Sequence, residues 1–275
     1  MFLKSSFVTV WVFCLCFAGC SQTSRNNGDE PYLYKDLLLD IRTEKISPQE
    51  AEARFKKIVK SYHDQYPPYE SDTASLAMVF PLLGKNYKAV GGAGKGFYAR
   101  QFNLFDHTIA KSHPAQDIFI YDVNKDCKED GTEKYIDVLA VRDGIVIAVE
   151  TDWEHSQDYK GGNYVWIYDT ATGGLWYYAH QRKVYVVKGQ KVKAGDKIAE
   201  VGRTGFNAAT NRSDTHLHLM YLSIDDTFYP KPLNTYPWLK EATTHYTTQL
   251  PEDYPRKEID ASFLPRIPYI QRMFE

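Results

Sequence analysis

From about residue 76 to residue 240, apolar and polar residues alternate in short runs that turn residues separate. A period of two is typical of strands that bury one face. Residues 138–149, 163–180 and 184–202 follow this pattern, and no helical stretch interrupts them. We therefore predict a mainly β domain, built as a barrel or a sandwich. The turn signal Asp143-Gly144 predicts a hairpin over 138–149, and a second hairpin is predicted over 163–180.

Residues 32–66 follow a helical period instead. Ser47 can serve as an N-cap, with Pro48 at the first helical position and Glu50 as the capping carboxylate. Apolar residues then recur on one helix face: Ala51, Phe55, Ile58, Val59 and Tyr62. We expect a small helical extension that packs on the β domain or acts as a spacer, and we expect no chemistry from it.

The N-terminus has the pattern of a targeting segment over residues 1–20. Lys4 precedes an apolar run at 7–17 that is too short to span a bilayer as a helix. Small residues directly before Cys20 resemble a bacterial lipobox, which predicts cleavage there and lipid attachment to Cys20. An ordinary secretory signal peptide and an uncleaved anchor are the alternatives. Residues 21–30 are polar and predict a flexible tether.

Ser21 follows the cysteine, which resembles the outer-membrane sorting choice of enterobacterial lipoproteins. We expect a lipid-anchored protein of the cell envelope, at the outer membrane and facing the periplasm or the surface. The net charge of −2 argues against a nucleic-acid partner. Once Cys14, Cys16 and Cys20 are set aside, only Cys127 remains, so we expect no internal disulfide.

Histidines supply the candidate chemistry. His216 and His218 are two apart in an apolar run, so on a strand they point to the same face while Leu217 and Leu219 face a core. A histidine pair on a solvated strand face is the alternative. Three further candidates are His113, Asp117 and His180. These segments hold no cysteine, and three ligands with two spare histidines indicate a catalytic rather than a structural zinc site.

Three other patterns have weaker interpretations. The glycine-rich segment 91–96 lacks the spacing of a phosphate-binding loop. The acidic insertion 121–135 partly fits a calcium-loop template, but Cys127 stands where glycine is required, so we predict a surface loop with calcium binding as an alternative. Residues 187–202 resemble the barrel of biotinyl and lipoyl carrier domains without a modifiable lysine at a hairpin tip.

Taken in order, seven segments resemble the M23 metallopeptidases of the lysostaphin and LytM type over about residues 77–239. They are HPAQDI from His113, DGIV from Asp143, GNYVWI from Gly162, YAH from Tyr178, VKGQKVKAG from Val187, GRTG from Gly202 and HLH from His216. The resemblance implies an antiparallel β-sheet groove, one zinc ion per chain, and hydrolysis of peptide bonds in peptidoglycan cross-links or stem peptides.

The same resemblance assigns roles to individual residues. His113, Asp117 and His218 match the zinc ligands, and His180 and His216 match the two non-ligand histidines that act on the water and the oxyanion. Which of those two is the general base stays open.

Some positions depart from the family pattern. Ala115 stands where glycine is usual, and Leu219-Met220 replaces Phe-Glu. His107 and His155 are expected at the surface, and a place in the lining of the cleft is the alternative for either one.

The predicted organisation is a signal peptide at 1–20, a tether and helical extension at 21–75, an M23 peptidase domain at 76–240 and a tail at 241–275. Aromatic residues at 229–239 are expected to cover the domain. A non-catalytic LytM-type regulator that binds a cell-wall hydrolase is the alternative function. A metallopeptidase with a protein substrate is a third.

Overall fold

The computed structural model describes residues 33–70, 77–107, 112–154 and 160–251. The predicted signal peptide, Cys20 and the tether lie outside these residues, as do His155 and the end of the predicted tail. Within the described ranges, no helix has both the length and the apolar character needed to cross a bilayer.

Short strands make up most of the regular structure. In chain order they are β1 (Gln116–Phe119), β2 (Lys128–Glu129), β3 (Lys134–Tyr135), β4 (Asp137–Leu139), β5 (Gly144–Glu150), β6 (Tyr164–Asp169), β7 (Leu175–Ala179), β8 (Gln181–Val184), β9 (Lys191–Val192), β10 (Lys197–Val201), β11 (His216–Ile224) and β12 (Pro230–Leu233). The α-helices are α1 (Tyr34–Arg42), α2 (Pro48–Gln65), α3 (Phe206–Ala209) and α4 (Tyr236–Glu241). Short 3-10 turns at Tyr87–Ala89 and Gly91–Gly94 precede β1.

The large sheet has the order β1-β11-β7-β6-β5-β9, and β12 also pairs with β11. A second sheet has the order β4-β10-β8, and β2 pairs with β3 in the acidic insertion. All these strand pairs are antiparallel. The prediction of a mainly antiparallel β domain with a small N-terminal helical extension is therefore confirmed.

The two faces of the large sheet belong to different apolar clusters. One face joins the second sheet in a core that includes Leu217, Leu219 and Val138. The opposite face joins the helical extension, where Tyr34 and Phe55 pack with Trp166 in a second cluster. The extension therefore covers the β domain rather than serving as a spacer.

Local signals correctly predict α2. The Ser47 hydroxyl accepts a hydrogen bond from the Glu50 N–H at 3.2 Å, which satisfies one of the unpaired donors at the helix start. Ala51, Phe55 and Val59 are buried, as their spacing predicts. Trp238 of α4 packs edge-on against Tyr221, so the aromatic residues predicted at 229–239 cover the core as expected.

The hairpin predicted over 138–149 is wrong. β4 and β5 lie in different sheets, because β4 pairs with β10 while β5 pairs with β6 and β9. The Asp143 carboxylate accepts hydrogen bonds from the Ala194 N–H and the Lys193 ammonium, which tie this connection to another loop. A side chain at Gly144 would collide with Ile167, so this glycine permits close packing and not a hairpin turn.

The second predicted hairpin is confirmed as β6 and β7, with Val165 opposite Tyr178. Its turn is fixed by the Asp169 carboxylate, which accepts hydrogen bonds from the N–H groups of Ala171 and Thr172. This hairpin ends at His180, so its register determines where that histidine lies.

Candidate metal centre

The pairing of β1 with β11 places Asp117 directly opposite His218. Opposite residues of an antiparallel pair share a sheet face, and the Asp117 Oδ1 atom lies 2.9 Å from the His218 Nδ1 atom. Leu217 and Leu219 are fully buried on the other face, as the period of two predicts. The histidine pair therefore lies on the face that also carries the helical extension.

His113 reaches Asp117 from the loop before β1. Its backbone forms a bridge with Tyr98, with both N–H to carbonyl distances at 2.9 Å. The His113 Nδ1 atom lies 2.9 Å from the Gly96 carbonyl oxygen, and Nε2 lies 3.2 Å from Asp117 Oδ2. Because the carbonyl accepts a hydrogen bond from Nδ1, Nε2 is the nitrogen available to a metal. The glycine-rich segment thus orients a candidate ligand.

His180 and His216 present their rings to the same place. His180 Nδ1 lies 2.7 Å from the Thr204 carbonyl oxygen, and His216 Nδ1 lies 2.7 Å from the Asp214 carbonyl oxygen. Each histidine therefore directs Nε2 toward the site, and His216 Nε2 is 3.6 Å from Asp117 Oδ1. Their ring centroids are 4.8 Å apart. His180 adopts a left-handed backbone with a φ of 65°, a conformation uncommon outside glycine.

Two groups among the described residues have ligand atoms close enough to hold a metal ion, all within 4.8 Å of one another. One contains His113, Asp117 and His218, and the other contains His180, His216 and His218. The first group combines two imidazoles with a carboxylate, a donor set suited to zinc with one position left open. Neither group includes the acidic insertion, in which Asp122, Asp126 and Asp130 accept hydrogen bonds from backbone N–H groups of the insertion itself.

Burial and neighbouring charges shift the pKa values of several site residues in different directions. Burial alone would raise the pKa of Asp117, but hydrogen bonds with His113 and His218 hold it well below its usual range. Burial lowers the pKa of His180 well below its ordinary value, and the nearby His216 and His218 lower it further. Burial also lowers the pKa of His216, although the charge of Asp117 opposes the shift. Near pH 7, an ionised carboxylate therefore faces two neutral imidazoles.

Burial would lower the pKa of His113 as well, but the hydrogen bond to Asp117, the charge of Asp117 and the hydrogen bond to the Gly96 carbonyl together outweigh burial and raise the pKa. The structure thus brings together all five residues that the sequence singles out. Their individual roles stay predictions.

A cavity of about 570 Å³ contains all five residues on its wall. Leu38, Ile41 and Arg42 of α1 also line it, which the sequence did not lead us to expect. His107, expected at the surface, lies on the same wall with 45% of its side chain exposed. No signal in α1 itself pointed to this position, because its apolar face looks like that of any packed helix.

The acidic insertion anchors the strand that carries His216. The buried Asp122 carboxylate accepts a hydrogen bond from the Thr215 hydroxyl at 2.6 Å and one from the Cys127 N–H at 2.9 Å. The Arg203 guanidinium donates to the Thr215 hydroxyl oxygen at 2.9 Å. This network fixes the residue directly before His216.

Comparison with known families gives a match to peptidase family M23 over residues 128–229. The likeness to an M23 peptidase lies in these residues. The matched M23 segment includes His180, His216 and His218, while His113 and Asp117 precede it. Strand pairing brings Asp117 to the matched segment, and His113 reaches Asp117 from the loop before β1.

Several solved structures are similar to this chain. The catalytic domain of the antimicrobial peptidase lysostaphin from Staphylococcus simulans is 25% identical with a TM-score of 0.33, over 47% of this chain and 80% of that one. A zinc-containing peptidase from Vibrio cholerae is 23% identical with a TM-score of 0.38, over 62% and 41%. A protein described as a glycyl-glycine endopeptidase LytM from Ruminococcus gnavus is 21% identical with a TM-score of 0.41, over 77% and 84%.

Proposed function

We propose that this chain is a zinc metalloendopeptidase that hydrolyses peptide bonds in peptidoglycan cross-links or stem peptides. The observation that carries the proposal is the convergence of His113, Asp117 and His218 in a cavity that also contains His180 and His216. The match to family M23 supports a peptidase. The resemblance of the ordered motifs to the lysostaphin and LytM type supports peptidoglycan as the substrate class.

Zinc fits the first group of ligands better than the second. Asp117 supplies a negative charge that three neutral imidazoles lack, and the Gly96 carbonyl orients His113 with Nε2 toward Asp117. In this proposal His113, Asp117 and His218 hold one zinc ion per chain. When bound, zinc lowers the pKa of a coordinated water and polarises the scissile carbonyl.

His180 and His216 then handle protons and negative charge. Each donates Nδ1–H to a backbone carbonyl, so each neutral ring has a free lone pair on Nε2 that can accept a proton. One ring takes the proton of the attacking water and passes it to the leaving amine. The other lies beside the developing oxyanion, whose negative charge favours uptake of a solvent proton on Nε2 and a hydrogen bond from Nε2 to the oxyanion. The two rings are near enough to serve one reacting carbonyl.

The test pairs a metal assay with digestion of purified peptidoglycan by residues 21–275. We expect one zinc per chain and release of peptide fragments, both lost in Asp117→Ala. If the protein binds zinc and cleaves a protein substrate but not peptidoglycan, then protein replaces peptidoglycan as the substrate class. A wild-type protein that binds no zinc after reconstitution would overturn the catalytic proposal in favour of a regulator of another hydrolase.

For location, we propose attachment to the cell envelope through a lipid on Cys20. The support is the sequence pattern of residues 1–20. Labelled fatty acid should be incorporated by the wild-type chain and not by Cys20→Ala. Equal incorporation by both chains would refute this assignment.

A further inference from the structure

The helical extension forms one wall of the cavity that contains the candidate metal centre. α1 packs on the face of the large sheet that carries His218, through Tyr34, Leu38 and Ile41. Its last residue, Arg42, is partly exposed and lines the cavity together with Tyr177 and the metal-site residues. A permanent positive charge therefore lies in the same cavity as the candidate metal centre.

Arg42 sits among hydrogen-bonding groups. Arg42 lines the cavity with Tyr177, and its charge lowers the pKa of both Tyr177 and Tyr34 against the larger effect of burial. The Tyr34 hydroxyl and the Trp166 indole N–H are buried and have no hydrogen-bond partner among the described residues. Trp166 lines the cavity and stacks on Tyr177 with ring centroids 4.5 Å apart. The part of the cavity around Arg42 is therefore rich in hydrogen-bond donors.

The structure also fixes where Tyr177, the neighbour of Arg42, lies relative to the candidate metal centre. Tyr177 lies opposite Met220 on β11, two residues from His218, and its ring packs edge-on against the His218 ring at 6.2 Å. The phenol that Arg42 contacts is thus a direct neighbour of a candidate zinc ligand. A substrate group bound by Arg42 would lie beside the scissile bond and not at a distant surface.

The charge on the cavity wall favours an anion. Apart from Asp117, which serves the metal centre, the wall carries the cations Arg42, Lys160 and Arg212 against the single carboxylate of Asp106. A guanidinium can bind both oxygens of a carboxylate at once, with fixed geometry. A carboxylate is therefore a group that Arg42 suits in this cavity.

We propose that Arg42 is a specificity-determining residue that binds a carboxylate of the substrate peptide next to the scissile bond. This inference rests on the proposed peptidase function. The carboxylate is either the free C-terminus of the peptide or an acidic side chain. The helical extension then belongs to the substrate site of this chain.

Binding can be measured without hydrolysis. The probes are three versions of one synthetic stem-type peptide: the free acid, a form amidated at the C-terminus and a form amidated at its acidic side chain. Calorimetry with zinc-stripped protein should show about 10-fold or more weaker binding when the recognised carboxylate is amidated, as for loss of a charged hydrogen bond. The form that weakens identifies the source of the carboxylate.

The variants separate recognition from structure. Arg42→Met should bring all three peptides to the same affinity, and Arg42→Lys should restore part of the preference. The matched control is Lys35→Met, which removes an ion pair between α1 and Glu150 at 3.1 Å without touching the cavity wall and should keep the full preference.

Two results would overturn the inference. One is equal binding of all three peptides to the wild type, and the other is an unchanged preference in Arg42→Met. A folding defect in Arg42→Met would instead weaken the binding of all three peptides together. In that case Arg42→Lys is the deciding variant, because it should keep part of the preference for the peptide with the recognised carboxylate. Because the protein holds no zinc in this assay, the result is independent of whether the loaded protein cleaves peptidoglycan. With loaded enzyme, the preference should appear in KM rather than kcat.

Discussion

Zinc-dependent thermal stability can distinguish the two groups of side chains that could hold the metal. Both groups contain His218, so the informative changes are Asp117→Asn in one group and His180→Gln or His216→Gln in the other. Asn keeps the size of Asp117 but removes the charge that His113 and His218 contact at 3.2 and 2.9 Å. We expect Asp117→Asn to lose zinc binding and both Gln variants to keep it.

The magnitude follows from mass action. Free zinc at 100 times Kd stabilises the folded wild type by about 2.7 kcal/mol. At about 2–4 °C per kcal/mol for a domain of this size, Tm should rise by about 5–11 °C. Loss of a residue that only hydrogen-bonds to a metal ligand weakens metal binding by about 10–100-fold. Loss of a direct ligand should therefore weaken zinc binding by at least about 100-fold. The zinc-dependent stabilisation of Asp117→Asn is then at most about 0.4 kcal/mol, under about 2 °C.

Differential scanning fluorimetry of each variant, with chelator and at one fixed free zinc concentration, measures these shifts. The chelated sample of each variant is its own baseline, which removes any change in intrinsic stability. A full zinc shift in Asp117→Asn, together with its loss in His180→Gln, would refute the assignment and place the metal on the second group.

Three further predictions concern the scaffold. Gly205→Ala puts a methyl group against the Lys160 carbonyl and 2.9 Å from His180 Nδ1, at a left-handed φ of 88°. We expect it to lower kcat by about 100-fold, as for a misplaced catalytic group, while the zinc shift persists. Asp169→Ala removes the fully buried partner of Arg142, and denaturant unfolding should show a loss of about 3–5 kcal/mol. Phe55→Ala empties the contact between the helical extension and the sheet, and should cost about 3–5 kcal/mol by the same assay.

Short-range patterns in the sequence predicted the parts of the structure that depend on near neighbours. The N-cap at Ser47 needs only Glu50 three residues away, and the hairpin of β6 and β7 needs only its own turn. The common face of His216 and His218 follows from strand geometry. The grouping of the site residues came from matching ordered motifs to a family, and strand pairing then put Asp117 opposite His218.

Features that depend on distant partners could not be predicted in this way. Asp143-Gly144 has the composition of a hairpin turn, but β4 pairs with β10 and β5 also pairs with β9, and both partners lie far along the chain. The contact of Arg42 with Tyr177 crosses from the helical extension to the middle of the domain. Burial of Asp122 under Thr215 similarly joins residues 93 positions apart. Periodicity contains no information on such pairings.

The register of β1 against β11 has a consequence for how the protein forms. Asp117 and His218 are 101 positions apart, and a metal held by both would close that length of chain. In the described residues Cys127 is free, so no disulfide makes a comparable cross-link. Closure of a loop of about 100 residues restricts the unfolded chain by about 4.7 kcal/mol in the entropic account of cross-links. The metal would thus act as a reversible cross-link. The centre cannot assemble until β11 has been synthesised and has paired with β1, the strand at the edge of the large sheet. A chain that ends before β11 would therefore lack the centre.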